Sequence, residues 1–266
     1  MISVAIPTFN SSKYITECLE SISKSKLIDE VIISDDNSRK EELINLQSLI
    51  SASSINSKIK LLTNKSNKGA FVNKYEAVNN TTNDIVYLLD SDNIAGFNID
   101  KTLSQIINQN NKYRLYLPSK IYHFNNSVNK LTPLYKTIFG NLEIFTKKNY
   151  EITKEEIQQI FEGNTNFMYQ KNKSIYWVLN IGNFIFHKDM FLKFMKNNEN
   201  FSRQNLSLDA VAFSYYWLKN GNNIFLLEDF YHFHRKRYDS VSWTEKDNAK
   251  ISRKKFNRLF LNINKN

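Results

Sequence analysis

Ile85-Val86-Tyr87-Leu88-Leu89-Asp90-Ser91-Asp92-Asn93 is the stretch that decides the fold. An apolar run, rich in β-branched and aromatic side chains, ends abruptly in two carboxylates. Such a run is what a strand buried on both faces of a sheet requires. Side chains alternate along an extended chain, so Asp90 and Asp92 are expected to project to one side at the strand's end. Two fixed carboxylates make a poor core. They make a good seat for Mg2+ or Mn2+, which prefer oxygen donors and share them with phosphate. An isolated Asp-x-Asp more often just opens a solvated loop, so the rest of the chain has to carry the functional reading.

Working outward, Ile2-Ser3-Val4-Ala5-Ile6 is a short strand stopped by Pro7-Thr8-Phe9-Asn10. A helix follows, with Ser11 or Ser12 as N-cap and Ile15, Cys18, Leu19 and Ile22 on one face. Glu30–Ser34 is a second strand ending at Asp35-Asp36-Asn37-Ser38, and Leu43, Leu46, Leu49 and Ile50 mark a second helix. Lys58–Leu62 is a third strand; Asn67-Lys68-Gly69 breaks the chain before a third helix that runs to about Val78. The Asp90 strand comes fourth. Strands alternating with helices imply right-handed crossovers and a mostly parallel sheet flanked by helices. Ligands of such α/β sheets sit outside the carboxyl ends of the strands. Thr8, Asn10, Asp35, Asp36, Asp90 and Asp92 are all expected on that edge.

With those motifs in order, the chain resembles family 2 glycosyltransferases, enzymes of the Rossmann-like GT-A fold that use nucleotide sugars. Val4-Ala5-Ile6-Pro7-Thr8-Phe9-Asn10, Val31-Ile32-Ile33-Ser34-Asp35-Asp36-Asn37-Ser38, Asn67-Lys68-Gly69 and Asp90-Ser91-Asp92 carry the resemblance, over roughly the first 95 residues. It implies that Pro7, Thr8, Phe9 and Asn10 line a nucleotide pocket, with Asn67, Gly69 and Ser91 completing it. Asp36, with Asp35, would accept a hydrogen bond from the base, usually uracil. Lys74 stands where the family commonly has an arginine and would face the nucleotide or its phosphates. Asp90 would reach the ribose or the water shell of a bound Mn2+ or Mg2+, and Asp92 would ligate that metal. A diphosphate leaving group gathers negative charge as the sugar departs, which a bound cation stabilises.

The second half is less regular. Tyr113–Phe124 reads as another strand. Residues 125–175 are rich in Asn, Lys and Thr, with Leu131, Leu134, Tyr135 and Ile138 scattered through them, and read as an insertion carrying helices over the acceptor side. Asn180–Phe186 resembles the family's strand before the acceptor helix, which places Gly182 and Asn183 at the sugar and acceptor. His187-Lys188-Asp189 starts a helix with Phe191, Leu192 and Met195 inside. Leu206-Ser207-Leu208-Asp209-Ala210 opens the next helix, running to Leu218. In inverting family members an acidic residue here, often one of a pair, takes a proton from the acceptor hydroxyl; here Leu208 replaces the first of the pair and Asp209 remains. A helix N-terminus keeps a carboxylate ionised, which also makes it a weaker base. Glu228 and Asp229, after the strand Ile224–Leu227, are the alternative.

Residues 230–243 place His232, His234, Arg235 and Arg237 close together. Histidine ligates metals, and arginine forks onto phosphate oxygens. The resemblance implies a loop closing over the diphosphate, with His234 as a further metal ligand and Arg235 and Arg237 on the phosphates. Three regions follow: a nucleotide-sugar half at 1–112, an acceptor half of the same catalytic domain at 113–230, and a basic loop with a helical C-terminal extension at 231–266. In that extension Phe256, Leu259, Phe260 and Ile263 share a face below Lys250, Arg253, Lys254, Lys255 and Arg258. Such a helix either packs on the domain or lies on an anionic membrane.

The chain has 266 residues, 41% hydrophobic and 14% aromatic, enough for a large core. Its one cysteine, Cys18, excludes a disulfide framework. No apolar run is long enough to span a membrane and no signal segment opens the chain, so the expected location is cytoplasmic, with the inner membrane face as a peripheral site. Six glycines, none two apart, exclude a dinucleotide fingerprint and a P-loop. The net charge of +10 is not matched by aromatics at exposed spacing, so nucleic acid is not an expected partner. The expected activity is metal-dependent, inverting, non-processive transfer of a sugar from a nucleotide diphosphate, with UDP the expected nucleotide, to a hydroxyl of a saccharide or lipid-linked saccharide in surface polysaccharide or glycoconjugate synthesis. A nucleotidyltransferase, or a nucleotide-sugar-binding protein without catalysis, is the alternative.

Overall fold

The computed structural model describes residues 1–125, 141–163, 175–197, 209–237 and 246–265. Its first half runs β1 (Ile2–Thr8), α1 (Ser12–Ile22), β2 (Ile28–Asp35), α2 (Lys40–Ser51), a 3-10 turn (Asn56–Lys58), β3 (Ile59–Thr63), α3 (Ala70–Asn79), β4 (Ile85–Leu88), β5 (Ile94–Ala95) and α4 (Ile99–Gln109). Then come β6 (Arg114–Asn125), β7 (Asn141–Ile144), β8 (Tyr150–Ile152), α5 (Lys154–Glu162), α6 (Tyr176–Leu179), β9 (Ile185–His187), α7 (Lys188–Asn197), α8 (Asp209–Lys219), β10 (Asn223–Lys236) and α9 (Lys246–Leu261).

One sheet joins the two halves, in the order β3-β2-β1-β4-β9-β6-β10-β5, with β7 beside β6 and β8 beside β10. β1, β2, β3 and β4 are parallel; β9 reverses against β4 and β6 reverses against β9, so β6 and its parallel partner β10 point the same way as β1. The sheet is mostly parallel, with β5, β7, β8 and β9 running against it.

Alternation along the strands builds a core on each face. Ile2, Val4 and Ile6 of β1 and Ile85 and Tyr87 of β4 pack with Ile15, Cys18 and Leu19 of α1 and Leu103 of α4. Ala5, Val86 and Leu88 face the other way, onto Ala77 and Val78 of α3, Phe191 and Phe194 of α7 and Phe213 and Trp217 of α8. A strand buried on both sides needs a continuous apolar run, and β4 has one. Local signals fix the element ends. Thr153 caps α5 by accepting the Glu156 N–H at 3.1 Å, Glu155 and Glu156 lie in the first turn, and Gly163 ends the helix in the left-handed conformation.

Several expectations are corrected. β1 does not stop at Pro7: Pro7 pairs in register with Ser34 and Thr8 with Asp35. Ser11 stands at the start of α1 without capping it, because its hydroxyl donates to the Phe9 carbonyl at 2.8 Å. β4 ends at Leu88, and Asp90–Asn93 is a turn closed by Asn93 N–H to the Asp90 carbonyl at 3.0 Å, so strand alternation does not govern the two aspartates. Residues 231–236 are the end of β10, not a loop, because they pair residue by residue with Lys120–Asn125 of β6; the boundary expected at 230 falls inside a strand. The described part of the 125–175 insertion adds β7 and β8 to the sheet besides α5; Leu131, Leu134, Tyr135 and Ile138 lie outside the described residues.

α9 packs on the domain. Phe260 stacks on Phe161 of α5 at 4.6 Å between ring centroids, and Tyr215 of α8 meets Phe260 edge-on and Phe256 at a tilt. Phe256, Phe260 and Ile263 are at most 1% exposed, and burying such side chains stabilises by about 1.5–3 kcal/mol each. That face is unavailable to a membrane. Lys250, Lys254, Lys255 and Arg258 point outward beside exposed Ile251. Among the described residues no helix is long and apolar enough to cross a membrane.

Candidate active site

The carboxyl ends of β1, β2 and β4 lie side by side, and three loops leave them. The β1–α1 loop carries Phe9, 46% exposed, and Asn10, whose φ is +48°. Asn10 Oδ1 accepts the Arg39 N–H at 3.0 Å and its own N–H donates to Ser38 Oγ at 2.8 Å, which ties this loop to the one after β2. Asn73 of α3, 2% exposed, ties the strands beneath by donating to the carbonyls of Thr8 and Ser34.

Asp35 and Asp36 are 1% and 2% exposed. Asp35 accepts from the backbone and hydroxyl of Ser38. Asp36 accepts from Asn64 Nδ2 at 3.0 Å, Lys68 N at 2.9 Å and Gly69 N at 2.8 Å. It therefore latches the loop that begins α3, with Asn67 Oδ1 also accepting the Gly69 N–H. The expectation that Asp35 meets a base is corrected: its carboxylate is enclosed and satisfied by Ser38. Among the described residues Asp36 has no partner for one lone pair, on Oδ2.

Past β4, Asp90 is clamped. Asn183 Oδ1 accepts its N–H at 2.7 Å, and Asn183 Nδ2 donates to Asp90 Oδ2 at 3.3 Å and to the Ile181 carbonyl at 2.7 Å. Asn183 is wholly buried, so it positions Asp90 and cannot touch a sugar; the acceptor role expected of it is corrected. Ser91, 5% exposed, likewise shows little surface to a nucleotide. Gly182, with φ +74°, brings its backbone against the same group: a Cβ there would stand 3.3 Å from Asp90 Oδ2 and 3.7 Å from Lys74 Nζ.

Lys74, from α3, reaches across to both halves of the chain. Its ammonium is 2.8 Å from Asp209 Oδ2 and 3.9 Å from Asp90 Oδ1. Asp209 is the first residue of α8, and its Oδ1 accepts the Ala210 N–H; Leu206, Ser207 and Leu208 lie outside the described residues. On the far side, Arg237 Nη1 donates to Asp92 Oδ2 at 3.0 Å and to Ser11 Oγ at 3.4 Å. Three carboxylates thus face two cations, one negative charge in excess. Burial pushes the Asp90 carboxyl up to about 7; Lys74 opposes this, and the charges of Asp92 and Asp209 add to it. Burial alone would lower Lys74, but Asp209 and Asp90 hold it above its ordinary value, so it stays charged.

Arg235 is not where the resemblance puts it. It is 3% exposed, its guanidinium pairs with Glu17 of α1 and donates to the Asp92 carbonyl at 2.9 Å, and its N–H donates to Asn93 Oδ1. It lies between the rings of Tyr14 and Phe124. Paired in β10, it braces the Asp90–Asn93 turn from behind and does not face phosphate. His234 follows the same strand, its ring 5.6 Å from His123 and 6.3 Å from His232. Burial and His123 push its pKa down to about 4, so the imidazole is neutral, the form that ligates metal. Asp229 is ion-paired to Lys101 of α4 at 2.8 Å and, among the described residues, pairs with no member of this cluster; its neighbour Glu228 is exposed and accepts Ser119 Oγ through its carbonyl.

A divalent cation would need a bound ligand to share its shell here. Among the described residues no three His, Cys, Asp or Glu side chains converge to enclose one. The side chains of suitable chemistry nearby are Asp92, Asp90 and neutral His234, of which no more than two would reach one ion. Mg2+ commonly takes one or two carboxylates and completes its shell with phosphate oxygens and water, and the excess negative charge favours it.

Sequence reasoning missed Asn73, Asn93 and Glu17. Asn93, two residues past Asp90-Ser91 and 1% exposed, was legible as a motif neighbour; Glu17 and Asn73 gave no signal, since each sits in an ordinary helix pattern.

Comparisons with known proteins bear on this arrangement. The family profile described as Glycosyl transferase family 2 matches residues 3–195. Comparison with curated proteins gives no significant match. Among solved structures, S. aureus TarS 1-349 is similar with a TM-score of 0.57 and 20% identity, covering 88% of this chain and 60% of that one. The same fragment in complex with UDP-GlcNAc gives 0.56 and 20%, over 91% and 60% of the two chains. GalNAc-T7 with UDP, GalNAc and Mn2+ gives 0.63 and 15%, over 90% and 44%. The chain thus spans about 60% of the TarS fragment, and at these identities the likeness is one of fold.

Proposed function

Since the chain belongs to glycosyl transferase family 2 and has the GT-A fold, we propose that it transfers a hexose or similar sugar from a nucleoside diphosphate to a saccharide hydroxyl, with inversion and one sugar at a time. The observation that carries this reading is the meeting of Lys74, Asp90 and Asp209, from three separate elements, at the carboxyl ends of the parallel strands.

Asp209 is the base. Its carboxylate takes the proton of the acceptor hydroxyl, the hydroxyl oxygen attacks the anomeric carbon, and the nucleoside diphosphate leaves from the opposite face. Lys74 and Arg237 carry charge toward the diphosphate. Phe9 offers an exposed aromatic face to the base, and Thr8, Asn10, Asn67 and Gly69 shape the pocket around it, with Pro7 in the strand beneath and the free lone pair of Asp36 at its floor. Asp92, with Asp90 or His234, would hold Mn2+ or Mg2+, which when bound supplies electrostatic stabilisation of the departing diphosphate. UDP is the nucleotide we favour, because TarS 1-349 is described with UDP-GlcNAc and GalNAc-T7 with UDP and Mn2+. The acceptor is a saccharide or lipid-linked saccharide of surface polysaccharide or glycoconjugate synthesis. We assign the reaction to the cytoplasm, where buried, unpaired Cys18 stays reduced, with weak contact of the cationic outer face of α9 on the membrane.

A donor-hydrolysis screen tests the reading: UDP-, GDP- and dTDP-sugars with and without Mn2+, following released nucleoside diphosphate. Release from one donor, dependent on metal and lost in Asp209→Asn, is expected when acceptor is supplied. UDP binding with no turnover against any saccharide acceptor leaves a nucleotide-sugar-binding protein instead, and release of pyrophosphate from a nucleoside triphosphate makes it a nucleotidyltransferase.

A further inference from the structure

In the donor-free protein the proposed base is covered. Asp209 Oδ2 lies 2.8 Å from the Lys74 ammonium and Oδ1 accepts a backbone N–H, so each oxygen is engaged and the negative charge is matched by the cation on it. An acceptor hydroxyl must displace one of these partners to reach the carboxylate. The Lys74 side chain is 13% exposed and Asp209 23%, so little water screens the pair. The same ammonium stands 3.9 Å from Asp90, on the side where the diphosphate would lie. A lysine ammonium is a compact charge with three donors on a flexible stem, able to turn between two anions.

Resting on the transferase reading above, we propose that Lys74 is a donor-operated switch: it masks Asp209 in the empty enzyme and turns to the diphosphate when the donor binds, which unmasks the base. Proton removal from the acceptor then waits for the donor, and departure of the nucleoside diphosphate restores the mask. Glycine at 182 keeps the backbone clear of both groups, since a Cβ there would stand 3.3 Å from Asp90 Oδ2 and touch the ammonium at 3.7 Å.

Linkage makes the idea testable without turnover. If the diphosphate and Asp209 compete for one ammonium, removing the charge of Asp209 must tighten diphosphate binding through Lys74. Calorimetry with UDP, in the absence and presence of Mg2+, should show Asp209→Asn binding about 5-fold to 50-fold more tightly than wild type, within the usual range of site coupling. Asp209→Asn also removes a negative charge near the ligand, which by itself strengthens anion binding. The Lys74→Met background separates the two effects: there only the direct charge effect remains, so the tightening caused by Asp209→Asn should be at least about fivefold smaller than in wild type. Lys74→Arg, which keeps a charge that can pair with either anion, should restore most of the effect. Equal tightening in both backgrounds, or none in either, overturns the switch. If wild type releases nucleoside diphosphate from a donor sugar while the cycle shows no coupling, the switch is wrong and the transferase reading stands. If wild type binds none of UDP, GDP and dTDP, with or without metal, both fail.

Discussion

Replacing Gly182 with alanine probes the centre of the site with one methyl group. Two costs follow from the structure. Gly182 has φ +74°, and the left-handed region costs a residue with a Cβ about 1–2 kcal/mol. The new Cβ would also stand 3.3 Å from Asp90 Oδ2, closer than the ~3.5–4.0 Å of ordinary contact, with Lys74 Nζ at 3.7 Å and Ala210 Cβ at 3.9 Å behind it. Asp90 cannot retreat freely, because Asn183 holds it at both backbone and side chain. Something among Asp90, Lys74 and Asp209 must shift by a few tenths of an ångström. Gly163, at the end of α5, isolates the first cost: its φ is +79° and nothing lies within 4 Å of a Cβ built on it. In a domain of this size about 1 kcal/mol moves Tm by roughly 2–4 °C, so thermal melts should show a fall for Gly163→Ala and a larger one for Gly182→Ala, which bears both costs. Only Gly182→Ala should lose activity. Misplacing reacting groups by 1 Å can cost about 100-fold, so a smaller shift should lower kcat/KM by about tenfold. Wild-type kcat/KM in Gly182→Ala, with a Tm loss matching Gly163→Ala, would show that the backbone there does not approach the reacting groups.

Asp92→Ala should abolish transfer and leave Tm within about 4 °C of wild type, since it breaks one partly exposed pair with Arg237; retained transfer removes Asp92 from the metal and diphosphate chemistry. Arg235→Met strands Glu17 and unbraces the Asp90–Asn93 turn, so urea unfolding should show a loss of about 3–5 kcal/mol; a loss under 1 kcal/mol would return Arg235 to a surface role. The pH dependence of stability carries a sign that can be checked. His234 is depressed from 6.5 to about 4, so its contribution is fully present above 6.5 and is lost as pH falls toward 4, about 3 kcal/mol in all. Asp90, raised from 3.8 to about 7, works the other way, destabilising above 7 and recovering as pH falls to 3.8. Subtracting the urea stability of His234→Gln from that of wild type removes the Asp90 contribution, and the difference should fall with pH between 6.5 and 4. A flat difference would mean that His234 is solvated.

The sheet edge was legible because strand β4 had to be apolar on both faces, and its run breaks at the aspartates. The short apolar run of β1 and the helical spacing of Ile15, Cys18, Leu19 and Ile22 were equally direct, and those four side chains of α1 are at most 1% exposed. Asp209 stood out through the family resemblance, since an acid at a helix start is in itself ordinary. Its partner could not, since 135 residues separate it from Lys74 and no local pattern encodes that reach. Residues 230–237 misled for a physical reason. Three cations and two histidines suggest a solvated loop, yet every second residue fills a place in the sheet: His232 is wholly buried, and neither of its nitrogens meets a hydrogen-bond partner among the described residues. Charge on a strand is hidden from sequence reasoning when its counter-charge, here Glu17, comes from 218 positions away.

The polar residues of the site divide into those that are enclosed and those that face its opening, and the division matches their partners. Asn183, Asp35, Asp36, Asn73 and Arg235 are each 3% exposed or less and bind backbone N–H or carbonyl groups, which cannot move without unmaking a loop. Lys74, Arg237, Asp90, Asp92 and Asp209 keep 13–27% of their side chains exposed and bind mainly one another. A ligand that brings charge can therefore repartner the second group while the first holds the turn and the three loops in place. That separation lets an incoming diphosphate compete for Lys74 and Arg237 without disturbing the position of Asp90, and electrostatic catalysis depends on such fixed positions. It also explains why the excess of carboxylate is tolerated: the unpaired charge sits in the layer open to cations, above a buried layer held by backbone partners.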